Sequence, residues 1–186
     1  FAQYSVGDTI SEEHLEMSFD VCYGEYGPNL ISFSDFNTGD KVIWLNMSAS
    51  WWIPCYASIP EGDEIVEHWA SDERVVILNS LDDIGQPYSC TMWGNAGTAD
   101  IPIIIDDGNT NIIHGWLNLE LDAYPVNLFI DHEMKIFSIT EAEMNETAIN
   151  TEIQSMLDNI PSQTACEDPI ASNYNQTGEC DYTDVF

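Results

Sequence analysis

Five cysteines, at positions 22, 55, 90, 166 and 180, are the residues of this 186-residue chain with the clearest capacity for chemistry. A cysteine reacts as its thiolate, and a helix N-terminus or a nearby cation brings its pKa down towards neutrality. Cys55 has such a setting. It follows Pro54 in SASWWIPCYASIP (Ser48–Pro60), and a proline in the first turn marks a helix start because its missing N–H needs no partner there. No second cysteine lies within a helical turn of it. Cys90, in GQPYSCTMW, and Cys22 are the other thiols ahead of the C-terminal segment.

Other chemistries lack their patterns. His14, His68, His114 and His132 show no metal-ligand spacing. There is no Gly-x-Ser-x-Gly, P-loop or dinucleotide fingerprint, so no cofactor is expected. Asp106, Asp107 and Asn109, and separately Asp168, Asn173, Asn175, Glu179 and Asp181, offer oxygens suited to weak Ca²⁺ binding. Neither group has EF-hand spacing, and solvated turn residues are the favoured reading; no metal site is expected.

The charge narrows the function further. Thirty-three acidic residues face three basic ones, Lys41, Arg74 and Lys135, for a formal net charge of −30. Such a surface repels phosphate backbones and anionic lipid, which argues against nucleic-acid and membrane-surface roles. The acids are scattered rather than blocked, as on a solvated surface in salty surroundings. No apolar run approaches the roughly 20 residues that span a bilayer, so membrane insertion is not expected. The start, FAQYSVGDT, has no signal-peptide pattern, and a removed signal is expected. Five cysteines and Asn-x-Ser/Thr triplets at Asn46, Asn145 and Asn175 point to export, whether periplasmic, cell-surface or secreted.

The elements that must position Cys55 can be read from the hydrophobic pattern. Residues 1–40 read as strands and turns, a β extension. VIWLNM (Val42–Met47) and VVILNSL (Val75–Leu81) are continuous apolar runs, the mark of strands buried on both faces. A helix from Cys55 to Ala70 lies between them, disturbed at Pro60-Glu61-Gly62. A short helix over Cys90–Gly94, a strand at Ile101–Ile105, and a hairpin of PVNLFID and KIFSIT turning at Asp131–Met134 follow. Glu146–Ile160 places Ile149, Ile153, Leu157 and Ile160 on one helical face. The pattern predicts a mixed α/β sheet covered on both faces, with a core over 41–161 and a small appendage over 162–186. Trp44 and Trp69 read as core; Trp51, Trp52, Trp93 and Trp116 are candidates for an aromatic cluster at the site edge.

KVIWLNMSASWWIPC and AYPVNLFIDHEMKI, in this order of elements, resemble the thioredoxin-like fold, and more narrowly the extracytoplasmic TlpA/ResA-type redoxins. The first reads against strand-Trp-Cys-x-Pro-Cys, the second against Pro-Thr-x-x-Ile-Asp. The resemblance covers about residues 25–160. It implies that Trp51 takes the tryptophan before the redox site, Pro54 the proline within it, and Cys55 the resolving cysteine. Pro125 takes the cis-proline facing the site, with Tyr124 bordering the groove. Trp52 stands where the family has its nucleophilic cysteine, so the attacking thiol is missing and an indole fills its place. The tail CEDPIASNYNQTGEC resembles a short repeat near the C-termini of exported proteins of marine bacteria. Cys166 and Cys180 bracket it, and a disulfide between them would hold an otherwise unsupported loop.

Two functional expectations follow. One is a divergent exported redoxin acting on protein thiols and disulfides, its activity impaired or relocated to Cys55 with Cys90. Loops after neighbouring parallel strands emerge at one sheet edge, so these two could meet. Two separate thiols, or a pairing with Cys22, remain open, since disulfide geometry does not follow from sequence. The other is a redox-inactive module that binds a peptide, protein or small ligand beside Trp52 and Tyr124.

Overall fold

The computed structural model describes residues 3–25, 29–98, 100–108, 110–161, 168–172, 174 and 180–182. Strand β3 (Val42–Ala49) runs through the middle of a seven-stranded sheet ordered β2-β1-β5-β4-β3-β6-β7. β4 (Val75–Asp82) lies parallel to it over eight residue pairs, and β6 (Val126–Ile130) lies antiparallel on its other side. β5 (Ile104–Asp106) continues the parallel set, and β7 (Ile136–Thr140) closes the hairpin with β6. β1 (Ser18–Tyr23) and β2 (Leu30–Ser32) add an antiparallel flank beyond β5.

Successive side chains of a strand point to opposite faces, so a continuous apolar run supplies two cores at once. Ile43, Leu45 and Met47 join Leu78, Ile105 and Leu128 on one face, under Tyr4, Ile10, Phe33, Phe36 and Trp116 of the segments flanking the strands. Val42 and Trp44 face the other way, against Ile65, Phe129 and the helix α5 (Glu146–Asp158). That helix buries Ile149, Ile153, Met156 and Leu157, and the Asn145 side chain caps it by accepting from the Ala148 N–H at 2.9 Å.

Several local expectations change. The single helix over 55–70 is two: α2 (Ile53–Ala57) and α3 (Ile59–Trp69), joined at Ser58. Each has a proline in its first turn, and Pro60 has no N–H to continue the ladder from α2. The N-terminal segment carries a one-turn helix, α1 (Glu12–Leu15), and a 3-10 turn at Phe33–Phe36 besides its strands. The strand expected at Ile101–Ile105 begins at Ile104, where pairing with Asn79 starts. The short helix α4 spans Cys90–Gly94, capped by Ser89.

Ile153 has no exposed surface and sits between α5 and the sheet. Ile153→Ala is expected to lower unfolding free energy by about 2–5 kcal/mol; a loss below about 1 kcal/mol in denaturant titration would show that α5 is not packed as described.

Candidate functional site

The parallel ladder of β3 and β4 ends at Ala49↔Asp82, so both strands deliver their next residues to one edge of the sheet. From β3 the chain passes through Ser50 and Trp51 to Trp52, which occupies the N-cap of α2 with no side-chain capping bond. From β4 it turns at Asp83, a non-glycine residue with φ of 54°. Ser50 ties the two turns together: its hydroxyl donates to the Asp83 carbonyl and accepts from the Gln86 N–H at 3.3 Å. Trp51 Nε1 donates to the Asp83 carboxylate at 2.9 Å.

Above this edge lies an open aromatic surface. Trp51 is 46% exposed and Trp52 40%, and their rings meet edge to face at 5.9 Å. Trp51 packs perpendicular to Tyr124 at 6.1 Å, and the His114 ring lies 4.6 Å from that of Tyr124, tilted against it. Burial holds the His114 pKa below its ordinary value. The Tyr124–Pro125 bond is cis. Trp51, Trp52 and Tyr124 therefore come together as a surface, with exposed Ile53 at its margin.

Cys55 does not reach it. One turn into α2, the thiol is 2% exposed among Ile59, Leu81, Trp93 and Ile104. Burial pushes its pKa up to about 11, against the lowering pull of hydrogen bonds to the Ser48 side chain and the Ala49 backbone. At neutral pH the thiolate fraction is on the order of one in ten thousand.

The expected partnership of Cys55 with Cys90 does not form. Cys90 is bonded to Cys22, with a Cα–Cα distance of 6.0 Å, and Cys55 is free. The reason lies in the N-terminal flank. β1 pairs with β5 and brings Cys22 beneath α4, so close that a Cβ on Gly94 would stand 2.4 Å from the Tyr23 ring. Cys180 is disulfide-bonded, while its expected partner Cys166 lies outside the described residues. Of the tryptophans offered for a site-edge cluster, two are interior. Trp93 is buried against Tyr56 and Tyr88, and Trp116 stacks on His14 in the opposite core.

Asn46 is no glycan acceptor, since its amide is bonded within the sheet to Asn127. Among the described residues no group of three His, Cys, Asp or Glu converges as a metal site, and no helix is long and apolar enough to cross a membrane. Of the residues weighed for Ca²⁺, Asn109, Asn173, Asn175 and Glu179 lie outside the described ones. Asp168 accepts from the Ile170 N–H and the Tyr182 hydroxyl.

A feature absent from the sequence reading lies directly under Tyr124. Asp82 and Asp107, at the ends of β4 and β5, have no exposed surface, and Asp82 Oδ1 is buried without a hydrogen-bond donor. Tyr124 donates its hydroxyl proton to Asp82 Oδ2 and accepts from Asn111 Nδ2 at 2.8 Å. The Ile113 N–H donates to both Asp107 oxygens, at 2.9 and 3.0 Å, and Ser80 lies against the same carboxylate. No Lys or Arg neutralises the pair. Burial and mutual repulsion raise Asp82 well above the carboxylate range, with Asp83 adding to the effect, and burial raises Asp107 as well. One proton shared between the two carboxyl groups would supply the donor that Asp82 Oδ1 lacks. The visible signal was two Asp-Asp pairs, Asp82-Asp83 and Asp106-Asp107, each closing a β-strand run, of which only the second was weighed, as turn residues.

No family model matches the chain, and no curated protein does. Solved structures do. The exposed lipoprotein thioredoxin of Streptococcus pneumoniae is 20% identical, with 75% of this chain and 98% of that one aligned at a TM-score of 0.60. A secreted thiol-disulfide isomerase of Corynebacterium glutamicum is 14% identical over 86% and 98%, at 0.64. A thiol:disulfide interchange protein of Chlorobium tepidum is 16% identical over 76% and 99%, at 0.57. The fold is thioredoxin-like. In this thioredoxin-like chain an exposed Trp52 stands at the N-cap of α2, and the buried free thiol of Cys55 lies three residues behind it.

Two outcomes are expected. Cys55 should resist thiol-specific alkylation in the native protein and label one-for-one after denaturation; fast native labelling would contradict its burial. The raised carboxyls favour the folded state fully below the ordinary carboxylate range near pH 4, and this contribution is lost as pH rises through their folded values. Asp82→Asn, which carries the N–H in place of the shared proton, should therefore flatten the fall of Tm with pH. At pH 8.5 it should raise Tm by at least about 2–4 °C; an unchanged pH profile would rule out the shared proton.

Proposed function

We propose that this protein is a redox-inactive thioredoxin-fold module that binds an extended peptide segment on the Trp51–Trp52–Tyr124 surface. The observation that carries the reading is Trp52, a half-exposed indole at the helix start where the resemblance to TlpA/ResA-type redoxins expects a nucleophilic thiol. Thiol exchange begins with thiolate attack. Cys55 is protonated and enclosed, and Cys90 is committed to Cys22. What remains at the edge is rigid aromatic area, the side-chain type that dominates binding energy at protein interfaces. The favoured partner is an extended segment combining basic and aromatic residues, because the net charge of −30 attracts cations and repels acidic peptides.

The protein acts outside the cytoplasm in this reading. The Cys22–Cys90 disulfide supports it, as such bonds persist in oxidising compartments. The exposed or secreted status of the S. pneumoniae and C. glutamicum proteins supports it too. The chain divides into an N-terminal β extension (1–40), a thioredoxin-like core (41–161) and a Cys-bracketed tail (162–186).

A second reading keeps a relocated redox activity among Cys22, Cys55 and Cys90, favoured by their shared apolar cluster. Insulin reduction separates the two. The native protein with dithiothreitol should not exceed dithiothreitol alone, whereas Trp52→Cys, which restores a thiol three residues before Cys55, should accelerate it. Catalysis by the native protein would support the second reading instead. On an array of basic-aromatic decapeptides, Trp52→Ala should weaken binding about 30-fold, as for an interface hot spot; equal binding by both proteins would remove the surface from the mechanism.

A further inference from the structure

Between α3 and the sheet lies a cavity of about 70 Å³, space for roughly five waters. It is remote in chemistry from the aromatic surface, and its floor is built from amides. Asn79, Asn46 and Asn127 stand side by side on β4, β3 and β6. Their amide hydrogens run one way: Asn79 Nδ2 donates to Asn46 Oδ1 at 2.9 Å and Asn46 Nδ2 to Asn127 Oδ1 at 3.2 Å. Asn127 Nδ2 then donates to the Ala142 carbonyl at 2.9 Å. The chain of bonds leaves one acceptor at its head, for Asn79 Oδ1 is buried without a donor.

Two further features point to an occupant. Asp63, 3% exposed, lines the cavity with one carboxylate oxygen bonded to the Thr98 N–H at 2.6 Å. Burial raises Asp63, and Glu143 on the lining is raised by burial and by Glu61. Gly62 lies inside α3, where glycine is the least favourable residue after proline, yet a Cβ there would meet nothing within 4 Å. Close packing does not require that glycine, which lines the cavity and has open space where its Cβ would be. The chain's own cations are engaged elsewhere, Lys41 on the Glu73 carbonyl, Arg74 on Asp72 and Lys135 on Glu133.

We propose that this cavity binds a small primary ammonium ion with a short apolar tail, its N–H groups donating to Asn79 Oδ1 and the Asp63 carboxylate while the tail lies against Ile59 and Trp93. An ammonium carries three donors and no acceptor, matching the donorless Asn79 Oδ1 and the Asp63 carboxylate of the lining. The apolar wall with few polar groups is the usual composition of a small-ligand pocket. This site goes beyond the peptide-binding reading and does not depend on it.

The test is calorimetric titration with n-butylammonium chloride, with n-butanol as the neutral control, at high NaCl to screen diffuse attraction to the acidic surface. One saturable site is expected, with n-butanol at least about tenfold weaker because charge-assisted hydrogen bonds are lost. Asp63→Asn should weaken n-butylammonium by about tenfold. Gly62→Leu should abolish binding while Tm holds or rises, since leucine is the better helix former. The Gly62 variant decides the matter if the Asp63 variant does not fold. Heats indistinguishable from dilution, equal binding of n-butanol, or undiminished binding by Gly62→Leu would each overturn the proposal and leave a water-filled cavity.

Discussion

The eight-residue parallel ladder between β3 and β4, from Val42↔Val75 to Ala49↔Asp82, is the constraint on which the site depends. Parallel strands end at the same edge, so the turn carrying Trp51 and Trp52 and the turn carrying Asp83 are forced into contact. Ser50 and Trp51 convert that contact into hydrogen bonds on Asp83. β6, paired to the other side of β3, then brings Pro125 and Tyr124 to the same edge. Both faces of β3 are buried, and a one-residue slip would exchange its two side-chain sets between cores of different shape.

The helix start that would lower a thiol pKa is fronted by an indole, and the remaining thiol lies where burial outweighs its hydrogen bonds. The Cys22–Cys90 bond joins β1 to α4, which makes it a brace between the N-terminal flank and the segment after β4. Tyr124 donates its hydroxyl proton to the buried Asp82, a bond that ties the wall of the surface to the end of β4.

The polar interior is unusual in its placement. Asparagines are depleted from strands, yet Asn46, Asn79 and Asn127 occupy adjacent central positions on three of them. Their mutual hydrogen bonds, with Trp44 Nε1 on Asn127 and Ser48 on Asn46, hold the interior amides together across the sheet. Such buried networks specify one register, because any slip would strand amides among apolar side chains.

The sequence by itself determined the alternation of elements, the strands of VIWLNM and VVILNSL, a disturbance of the helix near Pro60, and the helix start just after Trp52. These are local matters: period-two and helical patterns, proline chemistry and residue identity act over a few positions. It left open which cysteines pair, and it gave no weight to the Asp-Asp strand ends or to the mid-strand asparagines. Only tertiary structure decided those. Cys22 meets Cys90 because β1 docks antiparallel on β5, a contact across 68 residues of sequence. Asp82 and Asp107 come together in the interior because β4 and β5 end side by side beneath Tyr124. Long-range proximity and desolvation are properties of the assembled sheet, and no stretch of sequence expresses them alone.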